Sequence, residues 1–250
     1  MRTLACLAAL ALLACASPRG FDRGALAREL RPVAPAVTDE DIGKALATRP
    51  QLRSPFKLAV YFKPGPPMRR WGDYARPYQW TGTDKEALLS RLSPLVGPGG
   101  LSEVIPVSGG VVVGDDLKSI RLGAARYGAD AVLVVSGAGQ VDRYNNGWAG
   151  LYVTIVGAFI VPGTEADGLF VASAVLWDVR NEYLYASAEA EGTEHVSGPP
   201  SLVDDDRVLA TARTRGAAAL GAEVERRLRS LHGAVSTAPQ AVDPESGGRK

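Results

Sequence analysis

Few side chains in this sequence can titrate, attack or ligate. Among 250 residues there are two His and two Cys. Both cysteines, Cys6 and Cys15, fall within the first fifteen residues, so no disulfide framework staples the rest of the chain. His195 lies in a Gly/Pro/Ser-rich loop and His232 at a helix end, without Cys or a paired-carboxylate pattern; that is not metal-site spacing. Asp204, Asp205 and Asp206 precede Val208, Ala212, Ala219, Leu220, Val224 and Leu228, a helical stripe, and acidic residues at a helix start answer its dipole. Asp130 and Asp178 are single carboxylates that read as turn and strand-end residues rather than an acid–base couple. The glycines of residues 109–114 resemble a phosphate loop, but no Gly-Lys-Ser/Thr follows them. No Gly-x-Ser-x-Gly, His-Glu-x-x-His or Cys–His pairing is present either. These residues predict no enzyme, no cofactor and no metal.

Binding chemistry is concentrated in one loop, residues 64–80. Trp71, Tyr74, Tyr78 and Trp80 are interleaved there with Arg69, Arg70 and Arg76, and half of the four Trp residues of the chain lie in it. Rigid amphipathic rings beside guanidinium groups suit a surface for peptide, glycan or protein. Trp71, Tyr74, Tyr78, Trp80, Arg69 and Arg70 are therefore the candidate partner-binding residues. The alternative is that the rings fold back over the end of a sheet. Lys plus Arg (28) nearly cancels Asp plus Glu (27), so the surface as a whole is no nucleic-acid attractor.

The N-terminus carries a different signal. Arg2 precedes an apolar run, residues 4–14, too short for a bilayer span, which closes on Leu12-Leu13-Ala14-Cys15. This resembles the lipobox of bacterial lipoproteins, and the resemblance implies cleavage before Cys15 and acylation of its sulfur. An ordinary signal peptide with an incidental Cys is the other reading. Each buried CH₂ of such an anchor contributes about 0.8 kcal/mol, so several chains hold a protein stably on a bilayer. Ala16 and Ser17 follow, with no Asp at the second position, which by resemblance to lipoprotein sorting implies the outer membrane, facing the periplasm.

The elements that must position these residues read as one α/β domain. Residues 56–62 alternate as a strand, and a Thr83/Glu86 capping box opens a helix with Leu88, Leu89 and Leu92 on one stripe. Residues 102–107 form a strand that Pro106 confines to an edge. A helix capped by Asp115 or Asp116 ends at Gly128, and residues 129–137 form a strand covered on both faces. Residues 138–150 make a polar excursion, and the apolar run 151–161 reads as the next strand, followed by strands near 169–180 and 183–190. The expected fold is α/β, a single mixed sheet ending in an antiparallel meander and flanked by helices. The expected divisions are a signal peptide (1–14), lipidated Cys and tether (15–41), an α/β periplasmic domain (42–231) and a disordered tail (232–250). Within the tether, residues 25–30 make at most one helical turn. Thr38 with Asp41 forms a weak cap for a short helix carrying Ile42, Ala45 and Leu46.

The run Leu151-Tyr152-Val153-Thr154-Ile155-Val156-Gly157-Ala158, followed by Val175-Leu176-Trp177-Asp178-Val179, resembles the signature region of the rhombotarget lipoproteins. The helix leading into residues 128–137 is similar to that family too, and the likeness extends over about residues 42–192. Family members are substrates of a rhomboid-type protease through an apolar and basic C-terminal tail. Here Ser246-Gly247-Gly248-Arg249-Lys250 lacks the apolar stretch. The order of elements also resembles the periplasmic domain of the curli-secretion lipoproteins, though residues 141–149 are too polar and short for a membrane-inserting hairpin. The resulting expectation is a non-catalytic envelope lipoprotein, tethered to the bilayer through Cys15, that binds or scaffolds an envelope protein partner. A subunit of a secretion or envelope-assembly complex is the alternative, and an envelope hydrolase with an unrecognised site the second alternative.

Overall fold

A computed structural model describes residues 17–30, 37–65, 79–153 and 159–237. Five strands form one sheet in the order β2-β1-β3-β4-β5. These are β1 (Phe56–Phe62), β2 (Leu101–Val107), β3 (Ala131–Asn145), β4 (Thr164–Asp178) and β5 (Leu184–Gly198). The strands β2, β1 and β3 run parallel, whereas β3, β4 and β5 form an antiparallel meander. The edge position of β2 fits Pro106, which has no N–H to give to a second neighbour. The mixed α/β sheet expected from the sequence is the one observed.

The parallel strands require crossovers, and two short helices supply them. Helix α3 (Gly82–Leu92) links β1 to β2 and buries Leu88 and Leu92 on the face lined by Phe56, Leu58, Val60 and Phe62. Helix α4 (Leu117–Arg126) links β2 to β3 and buries Ile120 and Ala124 on the opposite face, against Ala59, Tyr61 and Val132. Asp116 caps α4, and Gly128 takes φ +70° after its end, as a helix C-terminus favours. The α3 cap lies two residues earlier than expected. Thr81 and Asp84, not Thr83 and Glu86, close the box, because Asp84 is also buried beside Arg213 Nε at 2.8 Å.

The terminal helix α5 (Asp205–Thr237) lies along the whole meander, on the face shared with α3. Its 33 residues span about 50 Å, close to the roughly 46 Å of a fifteen-residue strand. Close approach is set by two glycines: a Cβ on Gly192 of β5 would lie 2.1 Å from Ala212 O and 2.3 Å from Gly216 N of the helix. The helix continues past residue 231, into the stretch read as tail. Asp205 at its start pairs with Arg143 at 3.1 Å and Asp204 Oδ1 accepts from Asp206 N, so the acidic run serves as a helix start.

The largest departure from the sequence reading concerns residues 138–161. β3 does not stop near 137 but continues to Asn145, paired residue for residue with 164–178. The glycines that resembled a loop belong to the strand: a Cβ on Gly137 would meet Phe170 Cζ at 2.3 Å, so only Gly leaves room for that ring. The polar Gln140 and Asp142 face a segment of chain rather than water. With those residues in the ladder, the run expected as a strand falls in the β3–β4 connection, where Gly147–Val153 form a 3-10 helix. Residues 154–158 lie outside the described residues.

Two short N-terminal helices complete the fold. Helix α1 (Arg23–Leu30), in the stretch read as tether, is docked: Leu26 is buried against Ala138 and Leu169. Helix α2 (Asp39–Ala47) has the full Thr38/Asp41 capping box but buries no residue; Ile42 and Leu46 are exposed.

Candidate functional site

Trp80 is the one ring of the arginine-aromatic loop that is described, and it is buried. It is 7% exposed, and its ring meets Phe62 and Phe170 edge-on at centroid distances of 5.6 and 5.7 Å. Its Nε1 donates to Lys63 O at 3.1 Å, which satisfies the buried indole. Of the two readings of the loop, position 80 takes the one in which the ring folds back onto the sheet, packing between Phe62 of β1 and Phe170 of β4. Arg69, Arg70, Trp71, Tyr74 and Tyr78 lie outside the described residues, as does Cys15.

The two ends of the meander differ in construction. At the base, where β4 turns into β5, Asp178 is fully buried and collects Arg180 N at 2.8 Å and Tyr185 Oη at 2.7 Å. Tyr185 Oη in turn accepts from Gln51 N and Leu52 N at 3.0 and 2.8 Å, fixing the chain before β1. Burial and the Asp178 carboxylate push the Tyr185 phenol up to about 12. Asp130 Oδ2 accepts from Lys57 N, and Arg180 Nη2 donates to Asp130 Oδ1 at 2.6 Å. Asp130 and Asp178 thus hold turns and strand ends, and nothing places them as an acid–base couple.

At the far end, where β3 meets β4, the sheet is only three strands wide, since β1 pairs with β3 no further than Val135. One face is covered by α5. The other is covered by a strap made from residues 17–30. Arg19 N and Gly20 N both donate to Asp142 Oδ2, at 2.7 and 2.8 Å, and Asp22 N donates to Gln140 Oε1 at 3.2 Å. Gly20 has φ +74°, a turn that a Cβ would strain. Arg23 reaches Glu191 on β5 through two hydrogen bonds of 3.3 and 3.2 Å. The first described residues are thereby pinned next to the β3–β4 connection.

Beside the strap lies a polar cluster. Asp167 accepts from Tyr144 Oη at 2.9 Å and pairs with His195 Nδ1 at 2.7 Å, and Asn146 Nδ2 donates to Glu165 at 2.8 Å. The phenol of Tyr144 is pushed far up by burial and then by hydrogen bonds to Glu165 and Asp167, so it remains a donor. Hydrogen bonds from Asn146 and Tyr144 hold the Glu165 carboxyl below its usual range. The cluster orders the strand ends. Among the described residues no group of three or more His, Cys, Asp or Glu could hold a metal ion. The cavity between α5 and the sheet, lined by Leu133, Leu176, Val224 and Leu228, is about 10 Å³, too small for a ligand.

Beyond this cluster the connection exposes apolar side chains: Trp148 is 64%, Phe159 66% and Ile160 70% accessible. Leu202, after β5 at the same end, is 73% accessible. The sequence does contain a signal for this patch. An apolar run bounded by Asn145-Asn146-Gly147 and Pro162-Gly163 is too short to span a bilayer and too long for an ordinary hairpin turn. The strap residues Asp142 and Gln140 carry no comparable signal, since their partners are backbone N–H groups about 120 residues away. Among the described residues no helix is long and apolar enough to cross a membrane.

The chain is thus a five-stranded α/β domain in which the N-terminal strap is pinned at the same end of the meander as the exposed apolar connection. No family model matches the chain, and no curated protein sequence matches it. Among solved structures, similarity is found to the PelC dodecamer of Paraburkholderia phytofirmans (16% identity, 73% of this chain and 95% of that one, TM-score 0.32). A minor lipoprotein from Acinetobacter baumannii shows 9% identity over 70% of this chain and 92% of that one, with a TM-score of 0.34. A neuraminyllactose-binding hemagglutinin homolog from Helicobacter pylori shows 11% identity over 77% and 96%, with a TM-score of 0.39. Likenesses this low assign neither a family, rhombotarget or other, nor an activity.

Proposed function

We propose that this chain is a bacterial envelope lipoprotein, held on a membrane by acylated Cys15, whose folded body binds or scaffolds a partner without catalysing a reaction. The observation that carries the reading is the continuity of Leu12-Leu13-Ala14-Cys15 with a strap pinned to the sheet from Arg19 onward. Three residues separate Cys15 from Arg19, four steps along the chain and a reach of at most about 14 Å, so an acylated Cys15 keeps the far end of the meander close to the bilayer. Ala16 and Ser17 favour the outer membrane, facing the periplasm. The proposed partner contact is the loop carrying Arg69, Arg70, Trp71, Tyr74 and Tyr78, without Trp80, which is core.

Cell fractionation tests the tether. Cys15→Ser should move the protein from the membrane to the soluble envelope fraction with an unchanged circular dichroism spectrum. Retention of the variant on membranes would contradict the reading. For the partner surface, Trp71→Ala should weaken capture of an envelope partner by more than about 1 kcal/mol, as an aromatic hot spot does.

A further inference from the structure

We infer that the two described ends of the β3–β4 connection, residues 146–153 and 159–163, make a second membrane contact, seating Trp148, Phe159 and Ile160 in the interfacial layer of the same bilayer that holds Cys15. The inference rests on the proposed acylation of Cys15. Three observations converge on it. The described connection exposes two large aromatic rings and an isoleucine, each more than 60% accessible. The chain outside the described residues leads to Cys15 from Arg19, whose N–H is fixed to Asp142, and Asp142 stands opposite Asp167 on β4. From Asp142 to its end at Asn145 the strand advances three residues, about 10 Å, within the roughly 14 Å that the chain from Arg19 back to Cys15 can cover. Anchor and apolar connection can thus reach one plane.

The chemistry of this end selects the occupant. An indole with an apolar body and one N–H donor suits the headgroup boundary. Net electrostatic attraction to anionic lipid is weak, because Asp142, Glu165, Asp167, Asp204, Asp205 and Asp206 outnumber Arg19, Arg143 and Arg207 at this end, with Arg143 bound to Asp205. The contact therefore depends on apolar burial, and zwitterionic lipid should serve at least as well as anionic lipid. A second copy of this chain is the competing occupant.

The full lipidated chain allows a clean test, since Cys6 leaves with the leader and an acylated Cys15 has no free thiol. Ile160→Cys then carries the one reactive thiol, and an environment-sensitive fluorophore attached to it reports its surroundings in phosphatidylethanolamine/phosphatidylcholine vesicles. Leu184→Cys, at the base of β5 opposite Trp177 and 48% exposed, is the control about 46 Å away along the strands. The expected result is a several-fold rise in emission at position 160 on reconstitution, quenched by spin-labelled lipid, with no change at position 184. Emission at 160 that stays as in water overturns the inference. So does emission that rises with protein density and is not quenched by labelled lipid, which would assign the surface to a second copy. Thiol titration reads acylation separately: more than one reactive thiol per chain would sink the anchoring reading instead.

Discussion

Trp80 and Trp148 are the same residue type with opposite surroundings. Trp80 has its N–H satisfied by Lys63 O and two rings edge-on to it, and it joins β1 to the meander. Trp148 stands on a 3-10 turn at the far end of the meander with 64% of its surface in water. The difference follows from sheet width. Near the base the sheet has five strands and helices on both faces, and Trp80 finds partners there in Phe62 and Phe170. Past Val135 it narrows to three strands, and the exposed apolar residues at its tip have no further layer to enter.

The comparison can be broken most sharply by truncating each ring. Trp80→Ala should cost about 3–5 kcal/mol in denaturant unfolding, since it removes a buried ring from between Phe62 and Phe170. A loss below 1 kcal/mol would return Trp80 to the surface loop. Next in size is the strap. Asp142→Ala leaves two backbone N–H groups without their carboxylate and should cost about 1.5–3 kcal/mol, with residues 17–30 becoming cleavable by protease before the rest of the domain unfolds.

At the base, Tyr185→Phe removes a donor from Asp178 and an acceptor from Gln51 and Leu52, an expected loss of about 1–3 kcal/mol. The same residue sharpens the comparison by pH. Its phenol ionises near 10.0 when unfolded and near 12 when folded, so its contribution is complete below pH 10 and disappears as pH rises toward 12. Alkaline titration of stability should show a fall in that window that Tyr185→Phe lacks. The smallest effect belongs to the tip: Trp148→Ala should change stability by no more than about 0.5 kcal/mol, as exposed substitutions do.

Sequence periodicity located β1, β2 and the helices α4 and α5, and Pro106 placed β2 at an edge. It failed where pairing partners are remote. Gly137, Gly139, Gln140 and Asp142 resemble a polar loop until Phe170 and the N–H groups of Arg19 and Gly20 are set against them. Once β3 absorbs them, the apolar run 151–161 loses its place in the sheet. The α3 cap failed for a related reason: Thr81/Asp84 and Thr83/Glu86 have the same spacing, and only the distant Arg213 distinguishes them. Of the candidate site, the expectation at Cys15 rests on adjacent residues alone, because a lipobox is local, and Cys15 lies outside the described residues. The fate of Trp80 was not, because burial is decided by Phe170, ninety residues downstream.

The claim that joins these observations is that the strap leads to a lipid anchor at the tip end of the meander. Mass spectrometry of the mature N-terminal peptide tests it directly. The account predicts a chain that begins at Cys15 and carries the added mass of a diacylglyceryl group. An unmodified Cys15, or a first residue elsewhere, would contradict it.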